Sequence, residues 1–143
     1  MPARREVTVE WCGGRHFESK SQSGTLINLD ASPEHGGQNA GAQPMELLLI
    51  SLAGCTGMDV ISILEKKRQQ VTRFQIRVEG VRQDDHPRVY REVTITYRVT
   101  GHQIDPNAVA RAIELSVTKY CPLYATISQT ATMHTRYEVL EAE

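Results

Sequence analysis

The sequence predicts a single α+β domain with antiparallel strands and one long apolar helix. The chain has 143 residues, about the length of one domain, so residues 1–143 are assigned to one domain. Several segments alternate apolar and polar side chains, as half-buried strands do. Residues 44–70 are apolar on nearly every face in their first half, which favours a central buried helix. The predicted element order is β-β-β-α-β-β-α-(α)-β.

The first part of the chain predicts three short strands and a loop. Val7, Val9 and Trp11 alternate with polar residues, which predicts a half-buried strand. Residues 12–15, Cys-Gly-Gly-Arg, predict a turn. Further strands are expected at residues 17–19 and 25–29. Residues 31–43 are rich in Gly, Asn, Pro and Ser and predict a loop.

The second part predicts two helices, a hairpin and a final strand. Pro44 suits the first position of a helix, which we expect to run to about Gln70. Residues 73–79 and 93–99 alternate and predict a long antiparallel hairpin. Asp105 and Pro106 predict the start of an amphipathic helix, which Cys121-Pro122 interrupts. A short helix is expected to restart at Pro122, and residues 133–139 form the last strand.

Composition excludes several functional classes. Sixteen Lys and Arg against 17 Asp and Glu give a formal net charge of −1, which carries no signal for nucleic acid or an anionic membrane. Three cysteines are too few for a secreted disulfide scaffold. The start of the chain shows no apolar signal-peptide region, so a cytoplasmic location is expected.

The apolar stretch at residues 47–64 is near the lower length limit for a bilayer span. Asp59 lies within it, and an unpaired carboxylate inside a bilayer is costly, so no membrane association is expected. The helix from Pro44 to Gln70 would be roughly 40 Å long, and one small sheet covers only one side of it. A second sheet or a second chain must cover the other side, which favours an obligate dimer.

Cysteines are the strongest chemical candidates, because phosphate-binding glycine loops, nucleophile elbows and paired-cysteine zinc motifs are all missing from the sequence. Cys55 lies near Gly54 and Gly57, each of which lowers helix stability by about 1 kcal/mol relative to Ala. Close approach of another backbone or space for a substrate would compensate. Cys55 is then either a small core residue or a reactive thiol.

Cys121 precedes Pro122 and would cap the following helix, whose positive end favours a thiolate and lowers the thiol pKa. The alternative is a simple chain bend. Asp59 follows Cys55 by one helical turn, so it shares its face and would raise its pKa unless a cation offsets it. Asp59 is otherwise a dimer-contact or buried hydrogen-bonding residue. Cys12 is expected to be structural or incidental, and Cys12 with His16 gives too few ligands for zinc.

Four segments resemble the OsmC/Ohr family of osmotically induced and organic hydroperoxide resistance proteins. They are Pro44-Met45-Glu46-Leu47-Leu48-Leu49, Ala53-Gly54-Cys55, Tyr120-Cys121-Pro122 and the closing strand His134–Val139. They occur in the family's order over nearly the whole chain, and the helix start is most similar to the OsmC-like branch. The resemblance implies an intertwined homodimer with antiparallel sheets wrapped around long central helices.

The resemblance also implies thiol peroxidase chemistry. Cys55 would attack the peroxide and become a sulfenic acid, and Cys121 would resolve it to a disulfide. A dithiol reductant, lipoyl-type in the Ohr branch, would regenerate the thiols, and no metal, haem or flavin cofactor is required. The apolar side chains of Leu48, Leu52 and Met58 favour organic hydroperoxides as substrates over hydrogen peroxide.

Two further site residues follow from the resemblance. Arg15 follows the Gly13-Gly14 turn and matches the family arginine that stabilises the thiolate and orients the peroxide. The family glutamate that holds this arginine falls at Met45 here, and the acid is Glu46. On a straight helix Met45 lies about 80° from Cys55 and Glu46 about 180°, so Glu46 serves the site only through a distorted helix start or across a dimer. Otherwise it is a first-turn acid favoured by the helix dipole.

Two other classes of function stay open. A small-molecule or thiol-binding module would keep the fold without turnover, and a dimeric scaffold would use its cysteines only as core residues. Thiol reactivity discriminates between them, because an activated Cys55 reacts quickly near neutral pH and inert cysteines indicate a scaffold.

Overall fold

The computed structural model describes residues 3–143, and the chain divides into two compact units. The first unit extends to Leu48, and the second comprises Leu49–Glu143. One helix, α1, begins in the first unit and continues into the second.

The first unit contains a three-stranded antiparallel sheet with strand order β1-β2-β3. Its strands are β1 (Val9–Trp11), β2 (Phe17–Lys20) and β3 (Leu26–Leu29). The predicted turn at residues 12–15 is confirmed, and Gly13 and Gly14 adopt positive φ angles of 102° and 55° there. The prediction that β1 is half-buried is wrong for the single chain, because Trp11 is 64% exposed. The loop that follows β3 contains one 3₁₀ turn, Pro33–His35.

Helix α1 (Pro44–Lys66) begins where the sequence predicts and ends before the predicted Gln70. Arg68 adopts a left-handed conformation with φ 56°, which terminates the helix, and the next strand starts at Gln70. The prediction that α1 is buried nearly all round is wrong for the single chain. Its buried residues form one stripe at four-residue spacing: Leu52, Thr56, Val60 and Leu64.

Among the residues that the structure describes, α1 alone is long and apolar enough to span a bilayer by length and composition. Core helices of soluble proteins share these properties, so the feature is weak evidence for a membrane. The exposed part of α1 includes Ile50 and Met58, which are 54% and 73% exposed. This face of α1 is uncovered in the single chain.

The second unit contains a mixed sheet with strand order β4-β5-β6. Its strands are β4 (Gln70–Arg82), β5 (Tyr90–His102) and β6 (Thr132–Glu141). The predicted antiparallel hairpin of β4 and β5 is confirmed. The prediction of antiparallel strands throughout is wrong, because β5 and β6 are parallel. A helical crossover joins them and returns the chain to the same end of the sheet, which is the connection that parallel strands require.

The crossover contains α2 (Pro106–Leu115), a π-helical turn (Ser116–Tyr120) and α3 (Pro122–Ile127). The predicted start of α2 is confirmed, since the Asp105 side chain accepts a 2.9 Å hydrogen bond from the Asn107 N–H. The predicted interruption at Cys121 and the restart at Pro122 are also confirmed.

The core of the second unit lies on one face of the sheet. Alternate residues of β5 are fully buried, as expected for a strand with one covered face; they are Val93, Ile95, Tyr97 and Val99. Helix α1 covers this face with its buried stripe, and the Tyr97 hydroxyl contacts Thr56 on α1. Helix α2 adds its own apolar stripe of Ala108, Val109, Ala112 and Ile113.

Candidate active site

Two free cysteines of the second unit, Cys55 and Cys121, are brought together by the fold. Cys55 lies on α1 and is half-buried, whereas Cys121 lies at the start of α3 and is 3% exposed. The two side chains are hydrogen-bonded. The pair, which is far apart in sequence, is therefore placed in direct thiol–thiol contact.

The π-helical turn positions Cys121. The Cys121 N–H donates to the Ser116 carbonyl at 2.8 Å, five residues earlier, a bond that admits one more residue per turn than an α-helix does. Pro122 then occupies the first position of α3 and Cys121 caps it. The Cys121 Sγ accepts a 3.4 Å hydrogen bond from the Tyr124 N–H. The predicted N-cap role of Cys121 is thus confirmed.

The predicted lowering of the Cys121 pKa by this cap is wrong. Burial is the largest influence and raises the pKa of the Cys121 thiol to about 11. The Tyr124 N–H opposes this shift, while the hydrogen bond to Cys55 and the negative charges of Cys55 and Asp59 reinforce it. Cys121 is accordingly a protonated thiol at neutral pH.

A chain of buried hydroxyl groups lies beside the cysteine pair. Thr56 Oγ1 is 2.8 Å from Tyr97 Oη and 2.7 Å from Ser116 Oγ, and Ser116 Oγ donates to Asp59 Oδ2 at 2.9 Å. Tyr97, Thr56 and Ser116 are each 0% exposed. We call Tyr97, Thr56, Ser116 and Asp59 together the hydroxyl chain. Burial raises the pKa of Tyr97 to about 12, opposed by the hydrogen bond to Thr56.

Tyr97, Thr56 and Ser116 were not predicted as site residues from the sequence. The only available signal was the appearance of two hydroxyl side chains within otherwise apolar helix stripes. Asp59 was singled out, and its alternative role as a hydrogen-bonding residue is confirmed by its bond from Ser116. Its negative charge acts on Cys121 and Tyr97, raising the pKa of both groups.

The glycines near Cys55 receive different explanations. A Cβ atom on Gly57 would lie 2.7 Å from the Ile76 Cδ1 atom of β4, so the absence of a side chain lets α1 approach the sheet closely. The neighbour is therefore a side chain and not the backbone that the sequence predicts. A Cβ atom on Gly54 would meet nothing within 4 Å in the single chain. Gly54 therefore lies on the uncovered face of α1.

A groove in the second unit opens beside Asp59. It has a volume of about 460 Å³ and lies between α1 and the end of α2. Met58 and Tyr120 contribute apolar surface, while Asp59 and Lys66 contribute opposite charges. A ligand with an apolar body and one polar group fits this lining.

Arg15 and Glu46 belong to the first unit. Arg15 is exposed, and its Nη1 donates to the Gly14 carbonyl at 3.3 Å. It lines a cavity of about 260 Å³ with the loop around Gly36. Glu46 is exposed and accepts a 3.4 Å hydrogen bond from the Gln43 N–H just before α1. This bond caps the start of the helix, as the first-turn alternative requires.

A buried carboxylate organises the same cavity. Asp30 is 2% exposed and accepts hydrogen bonds from the N–H groups of Ala31, Gln38 and Ala40 at 2.7, 3.1 and 3.0 Å. These bonds, that of Ala40 above all, lower the pKa of Asp30 against the opposing effect of burial. The carboxylate thereby holds the loop that follows β3.

Cys12 and His16 also line this cavity. Local desolvation and the carboxylates of Glu18 and Glu10 raise the pKa of the exposed Cys12 thiol. His16 Nε2 is 2.8 Å from Asn28 Oδ1. Within residues 3–143, no three His, Cys, Asp or Glu side chains are grouped to hold a metal ion.

Comparisons with known proteins give one consistent result. A family model described as OsmC-like protein matches residues 36–136. Protein YhfA of Escherichia coli K12 is 34% identical over 137 residues, covering 96% of this chain and 99% of YhfA. A hypothetical protein from Aquifex aeolicus has a TM-score of 0.88 at 34% identity, covering 99% of this chain and all of that chain.

A more distant solved structure has the same fold. An organic hydroperoxide resistance protein from Elizabethkingia anophelis has a TM-score of 0.67 at 15% identity. The match covers 99% of this chain and all of that chain.

Proposed function

This chain belongs to the OsmC-like protein family, and on that premise we propose that it is a cysteine-dependent peroxidase that reduces organic hydroperoxides. The observation that carries the proposal is the hydrogen-bonded pair of free thiols, Cys55 and Cys121. A two-cysteine peroxidase needs one thiol to attack the peroxide and a second within reach to resolve the product. The names of several proteins with this fold, organic hydroperoxide resistance proteins, agree with it.

In the first step, the Cys55 thiolate attacks the hydroperoxide. An S–O bond forms as the O–O bond breaks, and the departing alkoxide takes a proton to become an alcohol. Cys55 loses two electrons and becomes a sulfenic acid. The pKa of about 11 keeps Cys121 protonated during this step, and a thiol is a poor nucleophile. A protonated Cys121 supports Cys55, the other thiol of the pair, as the attacking residue.

In the second step, Cys121 attacks the sulfenic sulfur of Cys55. An S–S bond forms, the S–O bond breaks, and the hydroxyl group leaves with the Cys121 proton as water. The thiol contact in the reduced protein supports this assignment, because little movement is needed to bring the sulfurs together. An external dithiol, of the lipoyl type, then reduces the disulfide by two successive exchanges.

The substrate preference is assigned from the groove beside Asp59. Ile63, Leu115 and Tyr120 give it apolar walls suited to the carbon chain of an organic hydroperoxide. Hydrogen peroxide has no such group to bury and gains nothing from these walls. The groove thus supports organic hydroperoxides as the substrate class.

Arg15 and Glu46 receive their roles from the family resemblance. We assign Arg15 the positive charge that stabilises the thiolate and orients the peroxide. Glu46, whose carboxylate accepts the Gln43 N–H at the start of α1, is assigned as the acidic partner of this arginine across the proposed dimer. The test for both is a change in the rate of the first step with the second step unaffected.

A second copy of this chain is proposed to cover the outer face of α1. Ile50, Gly54 and Met58 recur at four-residue spacing on that face and are exposed in the single chain. Gly54→Ala alone would stabilise an uncovered helix by about 1 kcal/mol but would hinder a closely packed partner helix. Sedimentation without detergent is expected to show a dimer that Gly54→Ala weakens. A stable monomer, or a protein recovered only with lipid vesicles, would contradict this assignment.

The proposed activity is tested by steady-state turnover of cumene hydroperoxide with dihydrolipoamide. Cys55→Ser is expected to abolish turnover, whereas Cys121→Ser consumes one equivalent and stops. Arg15→Ala slows the first step, and Cys12→Ser is the matched cysteine control with unchanged turnover. Fast labelling of Cys55 without hydroperoxide consumption would instead favour the small-molecule or thiol-binding module.

A further inference from the structure

The hydroxyl chain joins the two segments that carry the cysteines. Thr56 directly follows Cys55 on α1, and the Ser116 carbonyl accepts the N–H of Cys121 at 2.8 Å. The side chains of Thr56 and Ser116 meet at 2.7 Å. A path of one covalent neighbour and two hydrogen bonds therefore links the backbone of Cys55 to that of Cys121.

The direction of every bond in the hydroxyl chain is determined. Each hydroxyl has one hydrogen to donate, and that of Ser116 is donated to Asp59 Oδ2. Thr56 must then donate to Ser116, and Tyr97 must donate to Thr56. In the hydroxyl chain, Tyr97 donates to Thr56, Thr56 donates to Ser116, and Ser116 donates to the Asp59 carboxylate. Aligned hydrogen bonds of this kind strengthen one another in a buried setting.

Burial makes these bonds hard to replace. The three hydroxyl residues are 0% exposed, so water does not substitute for a lost partner. Among the described residues, no buried side-chain oxygen or nitrogen lacks a hydrogen-bond partner. Loss of the Thr56 hydroxyl would leave the Tyr97 donor without an acceptor and would release the joint between α1 and the Cys121 turn.

We propose that Thr56 and Ser116 are positioning residues that hold the Cys55 and Cys121 segments together and thereby set the thiol–disulfide equilibrium of the pair. A joint that keeps both thiols in contact raises their effective concentration toward each other. The inference rests on the proposed function only in that this disulfide is the intermediate of that reaction.

The equilibrium can be measured without any hydroperoxide. Glutathione disulfide oxidises the pair. The Cys55 and Cys121 thiols lose two protons and two electrons and form one S–S bond. The S–S bond of glutathione disulfide takes up the two electrons and breaks, and the two glutathione sulfurs take the two protons to become thiols. The equilibrium constant of this exchange is the effective concentration of the pair. It is read by mass after acid quenching and alkylation of the protein at a series of glutathione ratios.

Thr56→Val is expected to lower this equilibrium constant by about threefold to tenfold, the equivalent of one net hydrogen bond. Thr56→Ser keeps the hydroxyl and is expected to restore it to near the wild-type value. Ser116→Ala breaks the same joint from the other side and gives a second, independent reduction. Thr72→Val, at an exposed position on β4, is the matched control and leaves the constant unchanged.

A role confined to folding predicts a different pattern. If the hydroxyls act only on global stability, Thr56→Val destabilises the dithiol and disulfide proteins equally and the equilibrium constant does not change. The proposal requires the disulfide form to lose more stability than the dithiol form, by the same factor as the change in the constant. Equal losses, or a wild-type pair that forms no disulfide with glutathione, overturn it.

Failure of the proposed peroxidase activity gives another result. In that case hydroperoxide is not consumed, while the glutathione equilibrium still responds to Thr56→Val and Ser116→Ala. The converse result is peroxidase turnover together with a glutathione equilibrium constant that is the same in the wild type and in both variants. It overturns the positioning role and leaves the peroxidase assignment unaffected.

Discussion

Replacing the Thr56 hydroxyl is predicted to reveal the direction of the hydroxyl chain through protein stability. Thr56→Val changes the size of the side chain little but removes the acceptor of the Tyr97 O–H. Tyr97 is 0% exposed, so the donor is left unpaired away from water. An unsatisfied buried polar group costs about 1–3 kcal/mol, and the free energy of unfolding should fall by about this amount.

Tyr97→Phe is predicted to be milder. It removes a donor but leaves Thr56 still donating to Ser116, so the loss is one net hydrogen bond, about 0.5–1.5 kcal/mol. In the double variant, Thr56→Val with Tyr97→Phe, no donor is orphaned. We therefore expect it to be more stable than Thr56→Val alone, although it carries an additional substitution.

Urea unfolding of the reduced protein at pH 7 and fixed protein concentration measures these differences. Thr72→Val is again the control and should change stability by less than about 0.5 kcal/mol. Additive losses in the double variant, or a larger loss for Tyr97→Phe than for Thr56→Val, would refute the deduced donor directions.

Three further predictions follow from the charged and buried groups. Folding raises the pKa of Cys121 from 9.0 to about 11, so the contribution of this thiol to stability is intact below pH 9 and is lost as the pH rises toward 11. In urea unfolding, a Cys121→Ser variant should therefore lose less stability at alkaline pH than the wild type does. Identical alkaline slopes for the two proteins would contradict this. In a Cys55→Ser background, Asp59→Asn should lower the pKa of Cys121, since the Asp59 charge raises it. The pH profile of iodoacetamide labelling measures this pKa, and an unshifted or raised profile would be inconsistent with the effect of the Asp59 charge. Hydrogen bonds lower the pKa of Asp30, so its contribution to stability is present above about pH 4, the unfolded pKa, and is lost as the pH falls through the lowered folded pKa. Asp30→Asn should therefore make the free energy of unfolding fall less steeply at acid pH. Equal acid dependence in the variant and the wild type would count against the loop's dependence on this carboxylate.

Local sequence signals predicted most element starts. Pro44 and the Asp105-Pro106 pair mark helix starts because their effects act within one turn. Cys121-Pro122 likewise marks a helix break and a cap. The parallel pairing of β5 with β6 was not predicted, because strand alternation is the same in parallel and antiparallel sheets and the pairing depends on the path of the crossover.

The site was predictable only in part. The two cysteines stand out by their neighbours in sequence, but the hydroxyl chain joins residues 41 and 60 positions apart, with no local pattern to reveal it. The Cys121 pKa shows the same limit. The cap at the start of α3 is visible in the sequence, while the burial that outweighs it depends on the packing of the whole second unit.

The central claim is that Cys55 and Cys121 form a redox pair that reacts with an organic hydroperoxide. The most direct test is intact-mass analysis of the reduced protein after one equivalent of cumene hydroperoxide, followed by peptide mapping. The account predicts the loss of two hydrogens, mapped to a disulfide between Cys55 and Cys121. An unchanged mass, or oxygen added only to methionines, would contradict it.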